Sequence, residues 1–299
     1  MTKITLLDGG MGQELIHRAG DRPTPLWSTQ VMMDHPGMVE AVHEDYFRAG
    51  SGIATTNTYC IHHDRLVKTG IDGKFDELHE AAVEEAKAAR KAAGHGKIAG
   101  SIGPLVASYR PDVHPPHDEG VAKYAEVAQK LAPHVDFLLC ETVASAAHAR
   151  SILEGAKTAG KPVWLSVTVD DEDGSRLRSG EPVAEVVRIA QEGGADALLA
   201  NCSAPEAMAA ALEVIKTAGL PFGAYANGFT MITKDFLKDS PTVDALSARR
   251  DLGPETYANF VMGWVDQGAT IVGGCCEVGP AHITEVARRL REAGHEIEA

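Results

Sequence analysis

Cysteine is scarce: there are five in 299 residues, too few and too scattered for a disulfide framework. All five are expected to stay thiols in a reducing compartment, the form that metal ligation requires. No uninterrupted apolar run is long enough to cross a bilayer, and the opening Met1-Thr2-Lys3 starts no signal-peptide pattern. Both absences point to a cytoplasmic protein with no membrane partner. Positive charge is also in deficit. The 28 basic residues face 42 acidic ones, a formal net charge of −14, which argues against nucleic acid or an anionic membrane as a partner. No linker, low-complexity stretch or sequence-level repeat divides the chain, so it reads as one domain, residues 1–299. The balance of 44% hydrophobic and 23% charged residues is ordinary and sufficient for a sizeable core.

Against that background, eight short apolar runs recur along the chain. They are Ile4–Leu7, Gly52–Thr56, Ile98–Ile102, Val135–Cys140, Val163–Val169, Ala195–Ala200, Phe222–Tyr225 and Ala269–Val272. Each precedes a segment of helical period, for example Pro36–Ala49, stopped at Gly50, and Phe75–Ala93. Strands alternating with helices imply a parallel sheet with crossovers. Eight such units at this length fit an α/β fold of the closed (β/α)₈ TIM-barrel type. An open doubly wound sheet is the alternative.

The barrel reading gives the strand ends a meaning. Asp8, Asn57, Glu141, Cys202, Asn227, Cys275 and Cys276 all stand just after an apolar run. In a barrel those positions line the C-terminal mouth, where active sites form. Cys275 and Cys276 are adjacent, and consecutive side chains on a strand face opposite ways. Both can meet one metal only if the backbone leaves the extended form, which the freedom of Gly273 and Gly274 is expected to permit. With Cys202, three thiolates and an open fourth position make a zinc site able to hold a substrate sulfur. The bland alternative is three ordinary buried thiols. Cys60 and Cys140 fall outside the set. Asp8 could instead cap the helix near Gln13, Glu141 could be an ion-pair partner, and Trp27 could be core. His62-His63 and the His114/His117 pair read as solvated loop residues.

These residues carry a resemblance. Leu7-Asp8-Gly9-Gly10-Met11-Gly12, Pro25-Leu26-Trp27-Ser28, Thr56-Asn57-Thr58-Tyr59 and Gly100-Ser101-Ile102-Gly103-Pro104 are similar to motifs of the homocysteine S-methyltransferase family. So are Glu141-Thr142, Ser179-Gly180-Glu181-Pro182, Asn201-Cys202 and Gly273-Gly274-Cys275-Cys276. The resemblance implies a (β/α)₈ barrel that binds Zn²⁺ through Cys202, Cys275 and Cys276. It implies a methyltransferase of methionine biosynthesis that moves a methyl group to homocysteine. No residue of the chain would act as a covalent catalyst, because the substrate thiol is the nucleophile. Glu141, with Asp8 beside it, would meet the substrate ammonium. Backbone N–H groups around Gly9, Gly10 and Met11 would hold its carboxylate. Trp27 and Asn57 would complete the substrate pocket.

Two departures from the family pattern, Glu277-Val278-Gly279-Pro280 and Ala226-Asn227-Gly228, lie at the mouth and bear on the methyl donor. Cys60 after Tyr59 and Thr142 after Glu141 leave a betaine pocket incomplete. The resemblance therefore favours S-methylmethionine, with betaine or another onium as the alternative donor. The charged loop from Asp235 to Arg250 could hold an amino-acid donor. A non-catalytic zinc- or thiol-sensing barrel is the rival from another class. A barrel lyase or aldolase would need a lysine at a strand end, and none stands there. A homo-oligomer is left open.

Overall fold

The computed structural model describes residues 1–22, 24–233, 237, 242 and 246–298. Strands form where the apolar runs predict them: β1 Lys3–Leu6, β2 Ile53–Thr55, β3 Lys97–Ile102, β4 Phe137–Val143, β5 Val163–Val167, β6 Ala197–Asn201, β7 Phe222–Ala226 and β8 Ile271–Gly274. The helices of the first half are α1 Met11–Ala19, α2 Ser28–Asp34, α3 Met38–Ala49, α4 His63–Leu66, α5 Phe75–Ala93 and α6 His117–Leu131. Those of the second half are α7 Ala146–Lys157, α8 Val183–Glu192, α9 Pro205–Ile215, α10 Pro254–Asp266 and α11 Pro280–Glu292. A short ninth strand, β9 Glu296–Glu298, closes the chain.

The strands form one parallel sheet in the order β2-β3-β4-β5-β6-β7-β8-β1-β9. It is curled into a barrel-like α/β fold with helices outside. Parallel strands covered on both faces must be apolar throughout, and every residue of β4 and β6 is buried. The sheet separates two packing layers. Leu138 and Cys140 pack toward the helices in the large core, while Phe137, Leu139, Ala197, Leu199 and Tyr225 fill the concave side. This alternation puts Cys140 in the wall, facing away from the mouth.

At the seam the structure departs from a continuous strand ladder. β9 takes the free edge of β1, pairing Lys3 with Glu296 and Thr5 with Glu298. Beyond it, β1 meets the approach to β2 through the Gly52 N–H, which donates to the Leu6 carbonyl at 2.9 Å. Three residues, an isoleucine between two glutamates, carry no strand signal long enough to read, so β9 is not predicted by the sequence. The helices follow their sequence cues. α5 buries Leu78, Ala82, Val83, Ala86 and Ala89 on one stripe. α3 stops at Gly50, whose φ of 107° only glycine adopts readily.

Glycine also sets strand spacing. A Cβ on Gly223 of β7 would lie 1.6 Å from the Ile271 carbonyl oxygen of β8. Gly223→Ala is expected to lower the unfolding free energy by about 3 kcal/mol, the upper range for overpacking. Gly263 in α10 faces open space, and Gly263→Ala is expected to raise it by about 0.5–1 kcal/mol. Urea denaturation of the two variants checks both signs.

Candidate active site

β7 lies between β6 and β8, and its end governs where the cysteines stand. The Cys202 N–H donates to the Tyr225 carbonyl at 3.1 Å, and the Cys275 N–H to that of Ala226 at 2.9 Å. The Gly228 N–H returns a bond to the Cys276 carbonyl at 2.8 Å. Cys202 sits at φ 49°, a left-handed position uncommon for any residue but glycine, which turns its side chain inward just after β6. β8 ends at Gly274, so Cys275 and Cys276 occupy a turn and need not face opposite ways. The sulfurs of Cys202, Cys275 and Cys276 all lie within 4.8 Å of one another.

Two expectations are corrected here. Gly273 and Gly274 are not left-handed; the positive φ falls on Glu277, at 64°. The two glycines are needed for space. A Cβ on Gly273 would be 2.5 Å from that of Leu7, and one on Gly274 would be 2.2 Å from a Val278 methyl. Nor are all five cysteines thiols. Cys202 and Cys275 are joined in a disulfide across 73 residues, and Cys276 is free and buried. The fold brings their Cα atoms to 5.7 Å, within disulfide reach, whatever the cysteine count suggests.

The two carboxylates lie deeper. Glu141 is the last inward residue of β4. The register against β5 shifts between Cys140 and Val143, and Thr142 at φ 58° accommodates the bulge. Asn201 holds that bulge, accepting the Thr142 N–H at 3.0 Å through its side-chain oxygen. Glu141 accepts hydrogen bonds from Ser101 Oγ at 2.5 Å and Tyr225 Oη at 3.1 Å. Burial pushes its pKa up to about 7, with a smaller push from Asp8. Asp8 accepts from the Thr55 N–H at 2.6 Å and the Thr55 hydroxyl at 2.7 Å. Burial again dominates, raising its pKa to about 6. Neither carboxylate has a cationic partner among the described residues, so Glu141 is not an ion-pair residue. Asp8 does not cap α1, whose N-cap is Gly10.

The nine expected metal- and substrate-binding residues line one cavity of about 150 Å³; Asn227, also expected at the mouth, is not part of its lining. Gly10 lies directly against Cys275 and Cys276, where its absent Cβ would be 2.5 Å from the Cys275 carbonyl oxygen, and Asp8, Asn57, Glu141, Cys202 and Trp27 line the same cavity. The Asn57 side-chain N–H donates to the Ser28 carbonyl at 3.2 Å. Trp27 is half-buried and packs edge-on to Tyr59, with ring centroids 6.1 Å apart. The glycine turn is less open than expected. The Gly10 N–H donates to the Val278 carbonyl and the Met11 N–H to that of Gly9, both at 2.9 Å. Its anion-holding capacity therefore narrows to the Gly9 N–H.

Sequence reasoning missed Ser101, Tyr225, Thr55 and Asn201. Ser101 and Asn201 stand in motifs that carry the family resemblance, while Thr55 and Tyr225 had only their position near a strand end as a signal. Of the loop histidines, His117 is exposed as expected, His63 and His114 are half-buried, and His62 is buried. Asp235 and Lys238 lie outside the described residues. Arg249 is engaged by Glu206 and Asp251. No helix among the described residues is long and apolar enough to cross a membrane.

Comparison with known proteins agrees with this geometry. The sequence model of the homocysteine S-methyltransferase family matches residues 5–290. Homocysteine S-methyltransferase of Escherichia coli is 30% identical over 307 residues, spanning 96% of this chain and 95% of that protein. Homocysteine S-methyltransferase YbgG of Bacillus subtilis is 26% identical, spanning 96% and 95%. The crystal structure of the E. coli homocysteine methyltransferase MmuM in its metallated form superposes with a TM-score of 0.80 at 28% identity, covering 96% of each chain. Its oxidized form gives 0.79 over the same coverage.

The raised carboxylate pKa values fix a pH trend. A folded pKa above the unfolded one contributes stability below the unfolded value, and this is lost as pH rises through the folded value. For Glu141 that window runs from its ordinary value of 4.5 to about 7. Glu141→Gln is expected to flatten the decline across this window. Above it, the ligand-free variant should be more stable than the parent by on the order of 3 kcal/mol. Urea denaturation at pH 5 and pH 8 measures the difference.

Proposed function

The chain belongs to the homocysteine S-methyltransferase family, and we propose that it transfers a methyl group from S-methylmethionine to the thiol of homocysteine, with zinc held by Cys202, Cys275 and Cys276. The observation that carries this reading is one cavity containing three clustered sulfurs and two buried carboxylates with no cation beside them. The donor set fits a soft tetrahedral metal with a fourth position left for a substrate sulfur. Bound to the reduced cysteines, zinc supplies the Lewis acidity that lets a substrate thiol lose its proton at neutral pH.

The chain's own residues account for the remainder. Glu141 takes the homocysteine ammonium, which supplies the positive charge that the buried carboxylate lacks. Ser101 and Tyr225 keep its two oxygens aimed, and Asp8 adds a second negative charge nearby. The Gly9 N–H meets the substrate carboxylate. Trp27 and Tyr59 present ring surface to a cationic methyl donor, the contact that suits a sulfonium. One carbon–sulfur bond forms as the donor's carbon–sulfonium bond breaks, and the electron pair of the broken bond leaves with the donor sulfur. A reducing cytoplasm favours the thiol form that this chemistry needs.

Cys276→Ala is expected to reduce bound zinc from about one per chain to near zero, together with turnover. Far-UV circular dichroism should stay unchanged. Full activity in the triple alanine variant would end the metal reading. With homocysteine fixed, S-methylmethionine should turn over clearly faster than glycine betaine, and a faster rate with betaine would reassign the donor. Calorimetry separates the enzyme from a thiol-sensing barrel, because only the enzyme should bind homocysteine. That affinity should weaken up to about tenfold per pH unit below about 7, where Glu141 must lose a proton to receive an ammonium. Glu141→Gln should reduce this pH dependence to the part set by Asp8 and by proton loss from the substrate thiol.

A further inference from the structure

Arg65 and Lys68 are two cations on the wall of the cavity, carried by α4 and the turn after it. Arg65 stands beside Tyr59 and the loop that follows β3, and Lys68 beside Val106 of the same loop. Arg65 is half-buried and its known contacts are all neutral. Its Nε and Nη2 donate to the Pro104 carbonyl at 3.1 and 2.9 Å. Nη2 also donates to Ser108 Oγ at 3.2 Å, and Nη1 approaches Cys60 Sγ at 3.8 Å. The guanidinium carbon lies 5.6 Å from the Tyr59 ring centroid. Lys68 Nζ is 3.5 Å from the Val106 carbonyl.

Neither cation pairs with a carboxylate among the described residues. Elsewhere near the mouth, arginines find one: Arg178 pairs with Asp171 and Arg249 with Glu206. A chain with 42 acidic residues does not lack partners. Two cations facing one cavity without an anion mark a place for an anionic ligand group.

We propose that Arg65 and Lys68 form the carboxylate-binding end of the methyl-donor site, so that an efficient donor must carry a carboxylate as well as its onium centre. The inference rests on the methyl-transfer reading above. Homocysteine does not account for these cations. Its ammonium and carboxylate leave the same carbon, so with the ammonium at Glu141 its carboxylate stays near Gly9. The second substrate is left to occupy the Tyr59 side. A simple onium without a carboxylate would bring a third positive charge beside Arg65 and Lys68 with nothing to offset it, so the same residues discourage such donors.

The test compares S-methylmethionine with its carboxyl-free analogue, the (3-aminopropyl)dimethylsulfonium ion, in the zinc-loaded, reduced full chain. The parent enzyme should use the analogue poorly. Arg65→Gln should raise KM for S-methylmethionine by roughly 10- to 100-fold, the range for a lost charge-assisted hydrogen bond. Lys68→Gln, at an exposed position where folding is not at risk, should raise it about 3- to 10-fold. In both variants the homocysteine constant, read by calorimetry, should stay unchanged, and the penalty on the analogue should shrink. An unchanged KM for S-methylmethionine in both variants overturns the inference while leaving methyl transfer intact. Equal losses for S-methylmethionine and the analogue overturn it as well. A parent enzyme that methylates homocysteine from no onium donor overturns the underlying reading instead.

Discussion

The end of β7 is the reference on which the site depends. Backbone bonds from Cys202 and Cys275 land on the carbonyls of Tyr225 and Ala226, and the Cys276 carbonyl receives the Gly228 N–H. The Asn227 N–H is bound by the Ser203 carbonyl at 3.1 Å, and Tyr257 Oη fixes both Ala226 and Gly273 from below. The cysteines that follow β6 and β8 are therefore registered through the strand between them. The missing side chain of Gly223 permits that registration, because it lets β8 approach β7 closely. Side chains from distant parts of the chain meet at the mouth because parallel neighbours end at one level.

A second constraint is electrostatic. Asp8 is buried close enough to raise the proton affinity of Glu141, and hydrogen bonds from Ser101, Tyr225 and Thr55 offset only part of the burial cost of the two carboxylates. A fold selected only for stability would place apolar side chains there. In the proposed reading, these two carboxylates without a cation receive a ligand ammonium, whose binding would restore the missing charge. In the same cavity Arg65 and Lys68 present the opposite imbalance.

Much of this was legible in the sequence because parallel strands covered on both faces leave continuous apolar runs, and the residue after each run falls at the mouth. That logic reached Asp8, Glu141, Cys202 and the Cys275-Cys276 pair. It could not reach features that depend on backbone conformation or on tertiary pairing. The left-handed turns at Thr142 and Cys202 fall on residues with no glycine signal. The Gly9–Met11 turn looked like an anion nest, but the Val278 carbonyl already binds the Gly10 N–H. His62 follows a strand end like a solvated loop residue, yet it packs near Tyr124 beneath the surface. The Cys202–Cys275 disulfide depends on a distance that no spacing rule supplies.

Glu277, where the chain departs from the family pattern, shows how such a change is absorbed. Its carboxylate accepts from the Gln13 side-chain amide, whose oxygen in turn accepts the Trp27 indole N–H at 2.9 Å. Trp27 then packs over Gly12, where a Cβ would lie 2.3 Å from the ring. A line of contacts thus runs from the β8 turn bearing Cys275 and Cys276, through α1, to the aromatic rim of the cavity. A small residue at 277 would leave Gln13 without this acceptor and Trp27 without a fixed oxygen to bind. The departure is therefore tied to the orientation of Trp27 at the cavity wall, and the turn bearing Cys275 and Cys276 is linked to that ring through Gln13.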